Sequence, residues 1–259
     1  MPPIVHCVRH AQAVHNLSHA NHNMPDPELT ALGQEQCLSL RSRFAETQRH
    51  PDRIGLVVSS PIRRALRTAL IAFGPLAKDG TVLAWPEIQE ASDLPCDTGS
   101  ELGAIKAEFG SLEVDWSVVE PDWHIKKGKW EPSARKLQER AKAVRAWLMQ
   151  RPEEEIVLVS HGCFLHFLTD DWVDSVNSHA TSWANTEFRT YHFADASAED
   201  PAMTETPGSR LRRGVEAEPL GKGERDELRE SSINTWIEWR VITDSDASRE
   251  QRAGVAPYE

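Results

Sequence analysis

Apolar residues in this chain come in two kinds of run. Ile4–Val8, 54–59 and 156–160 are short, nearly continuous and β-branched, as expected of strands buried on both faces. Between them lie longer stretches with helical spacing. Leu32, Cys37, Leu40 and Phe44 predict a helix over about 30–47 with Thr30 as its N-cap and Pro51 closing it. Ser60-Pro61 is expected to open a second helix with proline in its first turn, and Gly74-Pro75 to stop it. Leu137, Ala141, Val144, Trp147 and Leu148 form one stripe of a third helix over 133–150. A fourth, apolar helix is expected from about Cys163 to Asp170.

Weaker signals fill the gaps. A short strand is expected at Val82–Trp85, and one at the sheet edge over Glu187–Phe193. The stretch 11–28 reads as a long polar loop, and long loops in compact domains tend to be functional. Residues 86–100 look irregular. Residues 101–132 carry Trp116, Trp123 and Trp130 with little periodicity, so they read either as a cap over a site or as a fastened surface excursion. Residues 194–223 are rich in Pro, Gly, Ser and charge and predict a mobile linker. The segment 224–243 should begin as a helix and dock through Trp236, Ile237 and Trp239, and the last dozen residues should fray. No internal repeat is seen. Strands alternating with helices predict an α/β fold, a three-layer sandwich on a mainly parallel sheet.

Composition narrows the picture. The 259 residues suffice for one large domain or two small ones. A net charge of −11 disfavours nucleic acid and anionic membrane partners, while leaving room for a local cationic pocket. Cys7, Cys37, Cys96 and Cys163 are widely spaced without a CxxC pair, which reads as reduced thiols rather than a zinc or disulfide framework. No apolar run reaches the ~20 residues of a membrane span. No secretion signal is evident, so a cytoplasmic protein is the expectation.

Three strands expected to be buried end in chemically loaded turns: Arg9-His10, then Ser59-Ser60-Pro61 with Arg64 just beyond, then His161-Gly162. Parallel strands place their carboxyl ends along one sheet edge. Two imidazoles and two guanidiniums can converge there. Arginine presents paired donors matched to phosphoryl oxygens. A neutral imidazole can attack phosphorus, and a carboxylic acid of raised pKa can protonate a leaving alkoxide.

These residues resemble the histidine phosphatase superfamily, phosphoglycerate mutase-like branch. Val8-Arg9-His10-Ala11-Gln12 resembles its Arg-His-Gly signature, with Asn16 where the family keeps an asparagine. Leu29-Thr30-Ala31-Leu32-Gly33 with Gln36 resembles a second block, and Ser59 to Ala65 with Thr68 the second-arginine helix. Ile88-Gln89-Glu90 resembles the acid-bearing segment and Val159-Ser160-His161-Gly162 the second-histidine turn. The resemblance covers residues 4–170. It implies a phosphoglycerate mutase-like sandwich over 1–193 with a cap-like insertion near 91–132, followed by an extension over 194–259.

It also implies roles. His10 would be the nucleophile. Arg9, Arg64 and His161 would complete the phosphate pocket, with Asn16, Gln12 and Gly162 beside it. Glu90 would be the general acid, in preference to Glu87. His22 joins Gln12 as a candidate for the substrate mouth; Asp93 and Thr98 are weaker ones. His6, His15, His19 and His166 are expected to be non-catalytic, and Arg63 and Arg67 to be solvated. No metal and no cofactor are implied. The family's glycine is replaced by Ala11. The expected activity is hydrolysis of a small phosphorylated metabolite. The alternatives are a mutase, for which Lys126, Lys127 and Lys129 are the candidate second-anion residues, and a non-catalytic phospho-ligand binder or reassigned chemistry on the same fold.

Overall fold

The computed structural model describes residues 1–47, 53–110, 112–176, 181–194 and 200–244. Seven strands form one sheet: β1 (Ile4–Arg9), β2 (Ile54–Ser59), β3 (Val82–Ala84), β4 (Val114–Asp115), β5 (Glu155–Ser160), β6 (Phe188–Phe193) and β7 (Met203–Glu205). Their order is β4-β3-β2-β5-β1-β6-β7, with the first five parallel and the last two antiparallel.

Each near-continuous apolar run serves two cores. Val5 and Cys7 of β1, Val58 of β2, and Ile156 and Leu158 of β5 enter one cluster. Their neighbours Val8, Val57, Val157 and Val159 enter the other. Period-two side-chain alternation thus buries both faces, and helices cover both. On one face lie α1 (Ala31–Thr47), α2 (Arg63–Phe73) and α3 (Leu102–Phe109). On the other lie α4 (Ala134–Met149), α5 (Gly162–Thr169) and α7 (Lys222–Glu238), with α6 (Pro207–Arg212) beside β6. This is the expected three-layer arrangement. His6 belongs to the packing: its ring meets Phe44 edge-on at 5.0 Å and its nitrogens contact Thr190 and Glu155.

Several local expectations are corrected. Helix α2 begins at Arg63, so Pro61 precedes it and Ile62 is the extended residue at its start. The 101–132 stretch holds α3 and β4, the strand pairing alongside β3. Strand β6 is not an edge: it pairs with β1 on one side and β7 on the other. The 194–223 stretch supplies β7 and α6 where a linker was expected, because edge pairing satisfies backbone groups that local composition cannot reveal. Residues 195–199, Pro51 and the last dozen positions fall outside the described residues.

The loop after β1 is locked by the start of α1. Thr30 N–H donates to the Gln12 carbonyl (3.0 Å), and the Thr30 hydroxyl accepts the Gly33 N–H (2.9 Å). A Cβ on Gly33 would lie 2.0 Å from the Gln12 carbonyl oxygen, a backbone atom that cannot swing away. Gly33→Ala should therefore destabilise the protein by about 1–3 kcal/mol, the usual scale of overpacking. Gly103→Ala, on an open face of α3, should be neutral or slightly stabilising. Thermal unfolding of the two variants checks the contrast.

Candidate active site

The carboxyl ends of β1, β2 and β5 are tied to one another just beyond the last ladder bonds. His10 N–H donates to the Ser160 carbonyl and Ser60 N–H to the Val159 carbonyl, each at 3.0 Å. These bonds draw the Arg9-His10, Ser60 and His161 turns together. The His10 and His161 rings have centroids 5.1 Å apart. Both imidazoles and Arg64 are buried to within 1%.

The His10 ring is held at both ends. Nδ1 donates to the Ala11 carbonyl at 2.7 Å, and Arg64 Nε donates to Nε2 at 3.1 Å. The bond at Nδ1 fixes the tautomer that leaves a lone pair on Nε2. Burial, followed by the charges of Arg64 and Arg9, holds the His10 pKa well below the ordinary imidazole value. The neutral ring is thus favoured, with its lone pair on Nε2. Ala11 keeps a negative φ, since the described non-glycine residues with positive φ lie elsewhere. Its N–H donates to Thr68 Oγ1 at 3.0 Å, so the residue in the glycine position fits without strain.

Arg64 is anchored by Asp97 (Nη2 to Oδ1, 2.8 Å) and by the Cys96 carbonyl. Asp97 is braced in turn by the Ser92 hydroxyl at 2.6 Å. Arg9 donates to the Trp183 carbonyl, while its Nε is buried without a partner among the described residues. His161 Nε2 meets Ser60 Oγ at 2.9 Å, and its Nδ1 is likewise buried without a partner. Buried unpaired donors are costly, and a phosphoryl oxygen is the kind of acceptor that would satisfy them.

Glu90 sits at the start of α5. Oε1 accepts N–H bonds from Ala91 (2.8 Å) and Phe164 (2.9 Å), and Oε2 a longer one from Cys163 (3.3 Å). Burial, then the charge of Asp97, raises its pKa against the opposing pull of the Ala91 N–H and Arg64. Glu87 instead pairs with Lys129 at 3.6 Å. Lys126 donates to the Glu90 carbonyl at 2.9 Å, and burial lowers its pKa to about 7.

A cavity of about 350 Å³ opens beside these groups, lined by Arg9, Asn16, Glu90 and Gly162 among others. His10, Arg64 and His161 do not line it; the His10 ring lies behind that of His15, which does, at 5.6 Å between centroids. Asn16 is oriented by the Ala13 N–H on Oδ1 (3.0 Å). A Cβ on Gly162 would lie 2.7 Å from Thr181 Oγ1. His22 lines the cavity, as do His15 and His19. Gln12 does not: its side-chain carbonyl accepts from the Thr30 hydroxyl at 2.8 Å. Asp93 and Thr98 are also off the wall. Arg63 and Arg67 are paired with Glu28 and Glu108 rather than simply solvated. His166 packs between Trp172 and Trp236.

Other contributors had no sequence signal of their own. Asn185 donates to the His10 carbonyl at 3.0 Å from a loop that carries no motif. Asp97 acts through Arg64. Trp239 and Val241 reach the cavity from the far end of the chain. Among the described residues no cluster of histidines, cysteines and carboxylates has the form of a metal site, and no helix is long and apolar enough to cross a membrane.

Residues 5–199 match the sequence model of the histidine phosphatase superfamily (branch 1). Phosphoglycerate mutase-like protein 1 of Arabidopsis thaliana is 29% identical over 253 residues, spanning 82% of this chain and 89% of the relative. A protein named "Probable phosphatase" in Schizosaccharomyces pombe is 25% identical, spanning 74% and 91%. In fold, the ecdysone phosphate phosphatase of Bombix mori, solved with tungstate, is similar at a TM-score of 0.50 and 14% identity, over 85% of this chain and 95% of that one.

The geometry around His10 predicts its titration. Nitrogen NMR should show a neutral ring protonated at Nδ1, with no titration through pH ~6.5, where an ordinary histidine changes charge.

Proposed function

The chain is a phosphatase of the histidine phosphatase superfamily, and from that premise we propose that it hydrolyses a small phosphorylated metabolite through a phosphohistidine on His10. The observation that carries this reading is the double hold on the His10 ring: Ala11 fixes the proton on Nδ1, and a guanidinium marks the lone pair on Nε2.

In the first step His10 Nε2 attacks phosphorus and the bond to the ester oxygen breaks. Arg64 Nε–H passes from the ring nitrogen to a phosphoryl oxygen as the ester enters. Arg9 Nε and His161 supply further donors, and Asn16 stands beside the same group. The departing oxygen takes a proton from Glu90 and leaves as the alcohol. Oε2, whose N–H contact among the described residues is the long one from Cys163, is the oxygen suited to carry that proton. In the second step the Glu90 carboxylate takes a proton from water, the resulting hydroxide attacks phosphorus, and the N–P electron pair returns to His10. Phosphate is released, and atoms and charges balance over the two steps.

A mutase must hold a second anion and exclude water. Lys129 is engaged by Glu87 and Glu120, and Lys126 by the Glu90 carbonyl with a pKa near neutrality. These contacts favour the hydrolase over the mutase suggested by some relatives' names.

Two outcomes are expected. Quenched during turnover of a phosphomonoester, the protein should carry acid-labile, alkali-stable phosphate on His10. His10→Ala should abolish both label and release while keeping the wild-type circular dichroism spectrum; labelling that survives this change would overturn the assignment. The pH profile follows from the two shifts. His10, lowered, stays neutral well into acid, and Glu90, raised, stays protonated above the ordinary carboxylate range. Activity should therefore persist above the ordinary carboxylate range and fall as rising pH strips the Glu90 proton. Glu90→Gln should lower kcat on alkyl esters by roughly 10²–10⁴-fold, and less on 4-nitrophenyl phosphate, whose leaving group needs no proton.

A further inference from the structure

The wall of the cavity is built partly by a segment after helix α7. Helix α7 docks through Trp236, which is fully buried and donates to the Ser175 carbonyl at 3.1 Å. The chain then turns at Arg240, whose φ is 59°. Val241 N–H returns to the Trp236 carbonyl at 2.9 Å. Thr243 pairs alongside Ser133 at the start of α4, through Thr243 N–H to the Pro132 carbonyl (2.8 Å) and Ala134 N–H to the Thr243 carbonyl (3.0 Å). Residues 239–243 are thus a strap pinned at both ends, and Trp239 and Val241 lie on the cavity wall. Trp239 also packs on the core, which restrains its ring. Both residues lie beyond the region matched by the family, 5–199.

The 14–23 turns supply Leu17, His19 and His22 to the same cavity. His19 and His22 meet edge-on at 5.3 Å, and His15 and His22 lie 6.2 Å apart. Leu17 is more than half exposed at this rim. Among the described lining residues Arg9 is the sole lysine or arginine, and it belongs to the phosphate cluster. Of the two acidic side chains on the wall, Asp97 is paired with Arg64 at 2.8 Å and Glu90 is bound by the N–H groups of Ala91 and Phe164. A second phosphate or a carboxylate on the alcohol would find no further lysine or arginine among those lining residues.

We propose that the alcohol released by this enzyme carries an uncharged flat ring, bound against Trp239 and Val241 of the C-terminal strap and facing the Leu17, His19 and His22 rim. This rests on the hydrolase reading above and adds the substrate class. An offset or edge-on ring contact with tryptophan is favourable beyond area burial, and a cavity of about 350 Å³ accommodates a small ring system.

The test compares three alkyl phosphates, so that the leaving oxygen is similar in each: 2-naphthylmethyl phosphate, glycerol 2-phosphate and 3-phosphoglycerate. The wild-type protein should prefer the naphthylmethyl ester in kcat/KM, with 3-phosphoglycerate the poorest. Trp239→Ala should reduce the ratio of naphthylmethyl to glycerol ester by on the order of ten-fold, and Trp239→Phe should keep most of it. A preference for 3-phosphoglycerate, or a ratio that Trp239→Ala leaves unmoved, overturns the proposal while the hydrolase reading stands. No release from any ester together with no phosphate on His10 overturns both. Should Trp239→Ala fail to fold, the wild-type preference and the Trp239→Phe ratio still decide.

Discussion

A buried guanidinium, Arg64, and two buried imidazoles beside the half-buried Arg9 are the feature around which this protein is arranged. Charge in a low-dielectric interior is tolerated only where it is paired and hydrogen-bonded. Arg64, with no solvent exposure, is held by Asp97, the Cys96 carbonyl and His10. Arg9 is held by the Trp183 carbonyl, with Glu90 and Glu187 contributing opposite charge. The imidazoles answer the same constraint by giving up their protons, which burial and the arginines favour. The neutral form of His10 is therefore favoured by the cluster itself. Glu90 responds in the opposite sense. Burial and nearby Asp97 push its carboxyl up, although α5 aims N–H groups at it. One environment moves groups of opposite charge type in opposite directions.

The sheet makes such a cluster possible without long detours. Parallel strands deliver His10, Ser60 and His161 to one edge, and backbone bonds between the three turns fix their spacing. Each strand is insulated by core on both faces, so the turns have a rigid base. Thr68 on α2 and Thr30 at the start of α1 then close on the loop after His10 from the side. Positioning on this scale matters because small displacements of a reacting group cost large factors in rate.

Much of this was legible in the sequence, for identifiable reasons. Strands buried on both faces announce themselves as continuous β-branched runs, and the site residues follow directly on those runs. Histidine and arginine at strand ends carry a chemical meaning that survives without coordinates. Asn185 and Asp97 carry none, because each acts through a partner far away in sequence. Strand β6 looked like an edge since β7, its cover, is three residues long and sits in a charged stretch. Gln12 shows the converse error. A polar residue beside the nucleophile was placed in the substrate mouth, yet its side chain completes the contact with Thr30.

The limit of legibility falls at the ester oxygen. On one side is the phosphoryl group, which presents the same oxygens whatever alcohol bears it. Donors for it can be supplied by a fixed set of residues on strand ends, and such a set leaves a motif. On the other side is the alcohol, whose recognition depends on shape, apolar area and the absence of the wrong charge. Those properties are supplied by the 14–23 turns and the 239–243 strap, two segments brought together only by the fold. The net charge of −11 belongs to the same division. Such a surface does not draw anions in from a distance, so capture of the phosphoryl group depends on the short-range cation cluster. On the reading proposed above, selectivity among phosphomonoesters then comes from contacts made after entry, on the wall where Trp239 stands.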